Sequence, residues 1–396
     1  MSKPGPLCHL CPLESSPGPV WGVGPSTAKL AIIGQNPEKR EVETEIPFSG
    51  TSGEKLNLHL SQQGISRNTS FVTNVVKCFV KAGQPVPSKA LECCYPLLEK
   101  ELSTLPHCKT YLTLGGPAFS IFSGKRLLTT TDAKGKYKKD PNVWLRGCPY
   151  IISHTAKKAI IPTVHPAYLG YTGNKDKFLF EADLRKAKRF ADGEGIFIQP
   201  VFNYKPTSHE VEEYVKECIA KSNVGCDIET SEQVVADENE LVGSSQGQIE
   251  VIGISCTIGE ALGVPPDLFP LLKPLFLCRS LNLFVYNGLF DLYHLKVPYE
   301  LKCTQIDVML ALHELHSDFS AKNLAIALSL YTDMPFHKNL AASKPDLYNC
   351  MDTYGVLWAG LRMLAKIEEL GCTWHFFRFT NAGLPVCEAL RLKGPR

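Results

Sequence analysis

Short apolar runs alternate with helix-like segments along the first half of the chain, and this alternation constrains the fold more than any other feature. The runs that predict buried strands are KLAIIG, SFVTNVVK, TYLTLG and AIIPTVH. Helices are predicted around GEKLNLHLSQQG and SKALECCYPLLEKELSTL. Such alternation is typical of an α/β domain whose helices cover a sheet, and these domains bind ligands at the carboxyl ends of the strands.

A break in the pattern predicts a boundary between two domains. A basic helix is predicted over residues 183–190, and the segment ADGEG that follows ends it near Gly193. A chain of 396 residues is long enough to bury two separate cores. We therefore expect domains over 1–192 and 193–372, followed by a short remaining segment, 373–396.

The second half again combines strands and helices. A helix with Ser208 as its N-cap is predicted in FNYKPTSHEVEEYVKECIAKS. Three predicted strands follow, VGCDIET, IEVIGISCTIG and EALGVP, and the chain after Phe284 is predicted to be mostly helical. The fold class predicted for the whole chain is therefore α/β with two domains.

The small net charge of +2 is the sum of two opposite charges. Residues 1–192 hold 26 Lys and Arg against 15 Asp and Glu, which is +11. Residues 193–396 hold 16 against 25, which is −9. A basic half favours a polyanion such as nucleic acid, while an acidic half can hold divalent cations or simply be solvated.

Cysteine usage points to reduced thiols. No apolar run reaches the roughly 18 residues that cross a bilayer, and the chain opens without a signal-peptide pattern, so a cytoplasmic protein is expected. The 15 cysteines then indicate thiols with room for one metal or cluster site. Cys8 and Cys11 are close enough to bind one metal or cluster, Cys78 and Cys94 follow, and Cys93 competes for the fourth place. Thiolate chemistry alone permits either zinc or an iron–sulfur cluster.

The order of several motifs makes a resemblance specific. CHLC, GQNPEKRE, PFSGTSGEKLN, TNVVKC, CYPLLEKEL, TLGGPAF and PTVHPAYL follow one another across residues 6–190. This order resembles the iron–sulfur uracil-DNA glycosylases of family 4. The resemblance implies a uracil-DNA glycosylase-like α/β/α domain with a structural [4Fe-4S] cluster, ligated by Cys8, Cys11, Cys78 and Cys94.

The same resemblance implies how the first half recognises uracil. A base that is flipped out of DNA needs an aromatic platform and polar groups that match its edge. Phe48 is expected to stack on uracil, and Asn74 offers the acceptor and donors that match the N3–H and O4 of uracil. His165 is expected to donate a hydrogen bond to O2, where charge develops as the base leaves.

The segment after the first strand supplies the remaining site residues. Glu41 is the expected carboxylate near the sugar, where it stabilises positive charge or orients water. Gln35 and Asn36 stand where the family has Glu and Ala, and they are expected to line the uracil site. GQNP is also similar to the GQDP of the classical glycosylases.

Three acidic motifs carry the chemistry of the second half. Asp227 and Glu229 face one side of a predicted strand, and Asp291 lies at a predicted strand-to-helix junction. Tyr348 and Asp352 are four residues apart, on one helical face. Carboxylates gathered in one place repel one another unless cations join them, and oxygen ligands suit two Mg²⁺ or Mn²⁺ ions.

In this order, the three motifs resemble those of the DEDDy 3′-5′ exonucleases, as in the proofreading domains of family A (polymerase I type) DNA polymerases. The resemblance covers residues 198–370 and implies a ribonuclease H-like fold. It also implies that Asp227, Glu229, Asp291 and Asp352 bind the metals and that Tyr348 orients water. The final segment, FRFTNAGLPVCEALRLKGPR, resembles the stretch that leads from such an exonuclease into the polymerase thumb, so residues 373–396 are expected to begin a connection toward a polymerase-like region.

The predicted function is a DNA maintenance enzyme that excises uracil and shortens 3′ ends. Its expected partners are uracil-containing DNA, single-stranded or frayed 3′ ends, and a DNA polymerase domain or subunit. One alternative is an active exonuclease whose first half detects uracil or single strands without excision. Another is a first half that only holds a polymerase on DNA through its positive charge.

Overall fold

A computed structural model of the protein divides into two compact units, Met1–Phe197 and Ile198–Arg396. It describes residues 3–81, 84–123, 146–171, 176–231, 248–296, 298–319, 322–337, 340–341 and 343–383. Each unit contains its own sheet and its own buried apolar core, so the predicted α/β class with two domains is confirmed. In the described part of the chain, every helix is too short or too polar to span a bilayer.

The described part of the first unit holds five strands and six α-helices. The strands are β1 (Leu30–Gly34), β2 (Phe71–Asn74), β3 (Thr110–Leu114), β4 (Tyr150–Ser153) and β5 (Lys158–Thr163). The helices are α1 (Lys39–Thr44), α2 (Thr51–Gln62), α3 (Ser88–Ser103), α4 (Gly116–Ser123), α5 (Pro166–Tyr171) and α6 (Lys177–Ala191).

The sheet of the first unit is mostly parallel. Its strand order is β2-β1-β3-β5-β4, and only β4 runs antiparallel to its neighbour. All residues of β1, β2 and β3 are buried, which explains why these strands are continuous apolar or Thr-rich runs. The carboxyl ends of β1, β2, β3 and β5 therefore meet at one edge of the sheet.

The described part of the second unit holds six strands and seven α-helices. The strands are β6 (Val201–Asn203), β7 (Asn223–Thr230), β8 (Ile249–Thr257), β9 (Glu260–Val264), β10 (Asn282–Val285) and β11 (Thr304–Asp307). The helices are α7 (Ser208–Lys221), α8 (Lys273–Leu277), α9 (Gly288–Leu295), α10 (Val308–Leu315), α11 (Leu324–Tyr331), α12 (Pro345–Glu369) and α13 (Thr373–His375).

The second sheet is mixed, with the order β11-β10-β7-β8-β9-β6. β7, β8 and β9 form an antiparallel meander, and β10 and β11 continue it in parallel from β7. The long helix α12 lies directly on β7 and β8. A Cβ atom on Gly225 would lie 2.4 Å from the Thr353 carbonyl oxygen, and one on Gly253 would lie 2.1 Å from the Thr353 hydroxyl. These two glycines allow α12 to approach the sheet closely.

Two details differ from the sequence predictions. α7 is capped by Thr207 rather than by Ser208, since Thr207 and Glu210 form a reciprocal capping box and Ser208 is the first helical residue. The region after Phe284 is mostly helical as predicted, but it also contains β11, whose four residues include Gln and Asp and so give a weak strand pattern. Residues 384–396, part of the predicted polymerase connection, lie outside the described residues.

Two candidate active sites

The polar residues predicted from the first half lie where the parallel strands of the first unit end. β1 ends at Gly34 and β2 ends at Asn74, and these residues are partners in the sheet register. Gln35 and Asn36 directly follow β1, and His165 lies two residues after the end of β5. The sheet therefore brings these residues to one edge, as the strand pattern predicts.

Phe48 packs its ring against the end of β1. A Cβ atom on Gly34 would lie 2.3 Å from Cζ of Phe48, so glycine is required for this contact. The Phe48 backbone has a φ of 54°, a left-handed conformation that is uncommon for an aromatic residue. The ring centroids of Phe48 and His165 are 6.2 Å apart, with the ring planes tilted by 31°. A strained backbone thus holds this ring beside the predicted catalytic histidine.

Asn74 is buried with an unpaired amide. It is 1% exposed, and neither Nδ2 nor Oδ1 makes a hydrogen bond of normal geometry to any of the described residues, although the amide interacts with the Glu41 carboxylate. A buried polar group without a partner costs about 1–3 kcal/mol. Asn74 lies against Gly34, since a Cβ atom there would be 2.3 Å from its Oδ1. The amide therefore offers one acceptor and two donors next to the Phe48 ring.

His165 is held as a neutral imidazole. Burial lowers its pKa from 6.5 to about 4. The backbone N–H of Ala167 donates to Nδ1 over 3.3 Å, which makes Nδ1 the acceptor and assigns the ring proton to Nε2. His165 also lies beside Gly115, because a Cβ atom there would be 3.5 Å from the His165 Cβ. The imidazole is therefore a donor through Nε2.

Both carboxylate oxygens of Glu41 accept hydrogen bonds from backbone N–H groups. Oε2 accepts a hydrogen bond from the Glu38 N–H over 2.7 Å, and Oε1 accepts a short one from the Phe48 N–H. Burial raises the pKa of Glu41, while these two backbone bonds oppose the rise. Arg67 donates to the carbonyl oxygens of Pro47 and Phe48, which fixes the same turn. Glu41 therefore stabilises the left-handed backbone of Phe48.

Gln35 and Asn36 form the turn after β1, and both are half-buried. The Val76 N–H donates to the Gln35 carbonyl over 2.9 Å, so the backbone pairing of β1 with the chain after β2 continues past Gly34. The Asn36 amide donates to the Pro37 carbonyl over 3.2 Å. Neither position carries a carboxylate, and the next acids along the chain are Glu38 and Glu41, at the cap and in the first turn of α1.

The predicted cluster ligands come from three segments. Cys8 begins a short 3₁₀ helix that ends before Cys11, Cys78 follows β2, and Cys94 lies in α3. Burial raises the pKa of Cys94 to about 11, and the neighbouring thiols of Cys78 and Cys11 contribute to the rise. Burial, followed by the Cys11 thiol, likewise raises the pKa of Cys93. Three of the four predicted ligands thus lie close together, and Cys93 also lies beside Cys11.

A buried lysine connects the cysteine segment to Asn74, and the sequence did not reveal it. Lys77 is fully buried, and its Nζ donates to the Asn74 carbonyl over 2.6 Å, to the Thr73 hydroxyl over 2.8 Å and to Glu101 over 2.5 Å. Glu101 also accepts a hydrogen bond from the Gly22 N–H. Burial lowers the pKa of Lys77, whereas Glu101 opposes this effect. The pair therefore fixes the end of β2, between Asn74 and Cys78.

The predicted carboxylates of the second unit come from one strand and two helices. Asp227 and Glu229 lie on β7, Asp291 lies in the first turn of α9, and Asp352 lies in the buried middle of α12. The Asn349 amide of α12 donates to the Asp227 carboxylate over 2.9 Å. The close packing of α12 on the sheet therefore brings the motifs together, although 122 residues separate Asn349 from Asp227.

Electrostatic interactions join these carboxylates. Burial raises the pKa of Asp291 well above its usual range, and the negative charges of Asp307, Glu229 and Asp352 add to this rise. Burial also raises the pKa of Tyr348, and a hydrogen bond to Asp352 contributes, so this phenol stays protonated at neutral pH. Anionic oxygen donors crowded around a buried site are the type of ligand that Mg²⁺ and Mn²⁺ take.

Asn287 and Asp307 build the junction at the start of α9. Asn287 adopts a left-handed conformation with a φ of 57°. The Asp307 carboxylate accepts hydrogen bonds from the N–H groups of Asn287 and Gly288 over 3.1 and 2.9 Å. It also caps α10 through the Met309 N–H over 2.8 Å. Asp307 therefore positions the helix that carries Asp291.

The donor types in both units fit the implied cofactors, although the side chains do not yet form a coordination sphere. As they stand, the described His, Cys, Asp and Glu residues include no group of three or more that could hold a metal ion. Buried thiols suit iron–sulfur or zinc chemistry, and buried carboxylates suit divalent cations. Binding would require the thiols to lose their protons and the carboxylates to turn toward the cation.

Comparison with known proteins decides the family of the first unit. A family model described as the uracil DNA glycosylase superfamily matches residues 21–188. A type-4 uracil-DNA glycosylase of Thermotoga maritima is 30% identical over 191 residues, which cover 48% of this chain and 91% of that protein. The chain belongs to the uracil-DNA glycosylase superfamily. A second type-4 enzyme of this superfamily, from Sulfurisphaera tokodaii, is 28% identical over 190 residues, 46% of this chain and 80% of its own length.

Solved structures that resemble the chain include nucleases and the POL domain of Pol1 from M. smegmatis. The catalytic core of RRP6 from Trypanosoma brucei has a TM-score of 0.39 and 18% identity, and the match covers 48% of this chain and 54% of that one. Escherichia coli RNase D, an exoribonuclease, has a TM-score of 0.37 and 15% identity over half of each chain. These TM-scores and identities are too low to carry an argument about function. The role of the second unit therefore rests on its own residues.

Proposed function

We propose that this protein excises uracil from DNA with its first unit and hydrolyses DNA from the 3′ end with its second. The observation that carries the first activity is the buried Asn74 amide, which has no partner of normal geometry and lies next to the Phe48 ring, whose other neighbour is His165. A polar group in that position is unfavourable unless a ligand pairs with it, and uracil presents a matching acceptor and donor. Membership in the uracil-DNA glycosylase superfamily supports this assignment.

Each proposed step of uracil removal is assigned to residues of the first unit. Uracil leaves the base stack and lies against the Phe48 ring, while Asn74 pairs with its N3–H and O4. The bond between C1′ of the sugar and N1 of uracil then breaks, and the electron pair stays with uracil. The Nε2–H of His165 stabilises the negative charge that develops on O2. A neutral imidazole suits this role because it donates a hydrogen bond while it remains uncharged.

Glu41 receives a different role from the one that its position in the sequence suggests. Both of its oxygens hold backbone N–H groups, so we assign it to positioning Phe48 rather than to contacting the sugar. Its buried negative charge still favours a cationic sugar close by. Glu38, which is exposed at the cap of α1, and the amides of Gln35 and Asn36 are then candidates for orienting the attacking water.

Cys8, Cys11, Cys78 and Cys94 would hold the [4Fe-4S] cluster. When bound, the cluster would cross-link the start of the chain to the segment after β2 and to α3. The Lys3 ammonium group donates to the Cys78 sulfur over 2.9 Å, and Lys77 fixes the backbone from Asn74 to Cys78. Cys78 and the proposed uracil-binding Asn74 therefore lie on one segment, which Lys77 holds through the Asn74 carbonyl. Because the Cys93 thiol lies beside Cys11, Cys93 is an alternative fourth ligand that can be tested.

For the second unit, we propose that Asp227, Glu229, Asp291 and Asp352 hold two divalent cations. When bound, the cations would activate a water molecule and neutralise the leaving oxygen of the phosphodiester. The Tyr348 phenol, which is protonated and hydrogen-bonded to Asp352, would orient that water rather than remove its proton. The convergence of these residues from β7, α9 and α12 supports this proposal.

The substitutions in the turn after β1 favour one alternative, in which the first unit binds uracil without excision. Gln35 and Asn36 supply no carboxylate where the family has Glu and Ala. A direct assay separates the two functions. An oligonucleotide with one dU is incubated with the protein in EDTA and then treated with alkali, which breaks the strand only where a base is missing.

Cleavage at the dU site that is lost in Asn74→Leu would support excision. If the protein binds dU-containing DNA more tightly than a dT control but leaves the strand intact, the first unit is a uracil reader. An absorbance band in the visible region, with about four iron atoms per chain, would distinguish the cluster from zinc.

The exonuclease needs a separate assay with Mg²⁺ or Mn²⁺ and a 5′-labelled strand. Stepwise shortening from the 3′ end is expected for the full chain, and Asp227→Ala should abolish it. Shortening that persists in Asp227→Ala would refute the ligand assignment. We also propose that this nuclease edits ends made by a DNA polymerase domain or subunit, which is tested by whether mismatched 3′ ends are removed faster than paired ones.

A further inference from the structure

His337 contacts the carboxylate of Asp352 in the second unit. It lies in the segment between α11 and α12 and is only 2% exposed. Its Nε2 is 2.5 Å from Oδ1 of Asp352, and its ring centroid is 5.8 Å from that of Tyr348. No sequence motif pointed to this residue, because it lies 15 positions before Asp352, outside the Tyr348 to Asp352 pattern.

The backbone around His337 is held against α12 by close packing. A Cβ atom on Gly355 would lie 2.8 Å from the sulfur of Met334, so the absence of a side chain there admits this segment. Met334 is fixed in turn, since its N–H donates to the Thr332 hydroxyl over 3.2 Å. Gly355 lies three residues after Asp352 and so on the same face of the helix. This packing brings His337 to the carboxylate.

The hydrogen-bonding partners of the ring define its role as a donor. Both ring nitrogens face acceptors, Nε2 a carboxylate oxygen at 2.5 Å and Nδ1 the Pro335 carbonyl oxygen at 3.3 Å, and the shorter contact assigns a ring proton to Nε2. A donor at Nε2 fixes one oxygen of Asp352 and so sets the plane of the carboxylate. Asn349, on the same helix as Asp352, holds the Asp227 carboxylate in a comparable way. Such partners of metal ligands typically change metal affinity by 10–100-fold.

We propose that His337 is a positioning residue for the metal site, which donates to Oδ1 of Asp352 and so fixes the orientation of the carboxylate that would bind a divalent cation. The proposal rests on the proposed exonuclease function, because it takes Asp352 as a metal ligand. The alternative is that His337 acts only through packing, because the same ring also lies beside Tyr348.

Two substitutions separate these roles in the full-length chain. His337→Phe keeps an aromatic ring beside Tyr348 but removes the donor, whereas His337→Gln keeps an N–H donor but removes the ring. Mn²⁺ binding is measured for both by calorimetry and by the paramagnetic resonance signal of the ion, without DNA. His316→Gln is the matched control, because His316 bonds to Tyr331 over 2.7 Å and stacks on Phe319 in the same unit.

The donor role predicts that His337→Phe raises the dissociation constant for Mn²⁺ by about 10–100-fold, with a smaller effect in His337→Gln and none in His316→Gln. Wild-type affinity in His337→Phe, or weaker binding in His337→Gln than in His337→Phe, would overturn it. Asp227→Ala tests the underlying function separately. If that variant binds Mn²⁺ like the wild type, or if the wild type binds none, the metal site itself is wrong, and His337 has no such role.

Discussion

Three residues of the proposed uracil site are held in unusual local states. Phe48 has a left-handed backbone, the buried Asn74 amide has no hydrogen-bond partner of normal geometry among the described residues, and burial keeps His165 neutral. The first two features lower stability by themselves, whereas the lowered pKa of His165 reduces stability only below about pH 6.5. Together they create an aromatic face, a matched hydrogen-bonding edge and a neutral donor before any ligand arrives. This preorganisation is what a base-excision site requires.

The His165 imidazole should titrate near pH 4 in the folded protein. Because its pKa is lowered, the unfolded chain takes up this proton first, so stability is unaffected above pH 6.5 and falls as the pH drops toward 4. The loss should amount to roughly 3 kcal/mol over this range. NMR of the histidine ring carbons gives the midpoint, and His165→Gln identifies the resonance. A midpoint near 6.5 would contradict the buried, neutral state.

Replacing Glu41 tests whether it positions Phe48. Glu41→Gln leaves one backbone N–H facing an amide nitrogen, so the free energy of unfolding should fall by about 1–3 kcal/mol, with slower uracil excision. Glu43→Gln is the control on the same helix, because the Glu43 side chain is 60% exposed and its pair with Lys39 is on the surface. Chemical denaturation measures both. Lost excision in Glu41→Gln at unchanged stability would instead assign Glu41 to the reaction.

At the scale of secondary-structure elements, each site depends on how a helix or loop is held at the end of a strand. In the first unit, Lys77 and Glu101 connect the end of β2 to α3 and so join Asn74 to the cysteine segment. In the second unit, Gly225 and Gly253 let α12 lie on β7 and β8, which brings Asp352 toward Asp227. The elements therefore set the spacing that the individual residues need.

The buried pair of Lys77 and Glu101 should be more important than any exposed pair in the same unit. Lys77→Met leaves Glu101 without its cation, and the expected loss of unfolding free energy is about 3–5 kcal/mol. Lys89→Met is the control, because Lys89 and Glu92 form a surface pair whose side chains are 58% and 59% exposed. Its effect should stay below about 0.5 kcal/mol. Adding Glu101→Leu to Lys77→Met should recover part of the loss, and no recovery would argue against a charge effect.

At the scale of the whole molecule, the chain combines two units with separate cores and opposite charges. The first 192 residues carry +11 and the remainder −9, which suits a first unit that meets a polyanion and a second that gathers cations. Each unit is expected to gain stability from its own ligand, since a group that binds only the folded form stabilises it.

Thermal unfolding should therefore show two transitions that respond to different ligands. Mn²⁺ should raise the midpoint of one transition only, and Asp227→Ala should remove this shift. Cys94→Ser should lower the midpoint of the other transition only, through loss of the cluster. Differential scanning calorimetry measures both midpoints in one experiment. A shift of both transitions by Mn²⁺ would show that the cation site is not confined to the second unit.

The sequence by itself determined the two α/β sheets and most candidate site residues, because both depend on local patterns. Apolar runs mark buried strands, and polar residues at their carboxyl ends must meet at a sheet edge, as Asn74 and His165 do. Spacing of two and four residues likewise places Asp227 with Glu229 and Tyr348 with Asp352. These relations hold over short distances along the chain.

Only the tertiary structure decided how those residues are held. The partners of Lys77, Asp352 and Asp227 are 24, 15 and 122 positions away in the chain, and no periodic pattern connects them. Glu41 lies only seven positions from Phe48, yet its role depends on a left-handed turn that the sequence does not reveal. Side-chain partners are chosen by packing between elements, which brings together groups that local periodicity cannot relate.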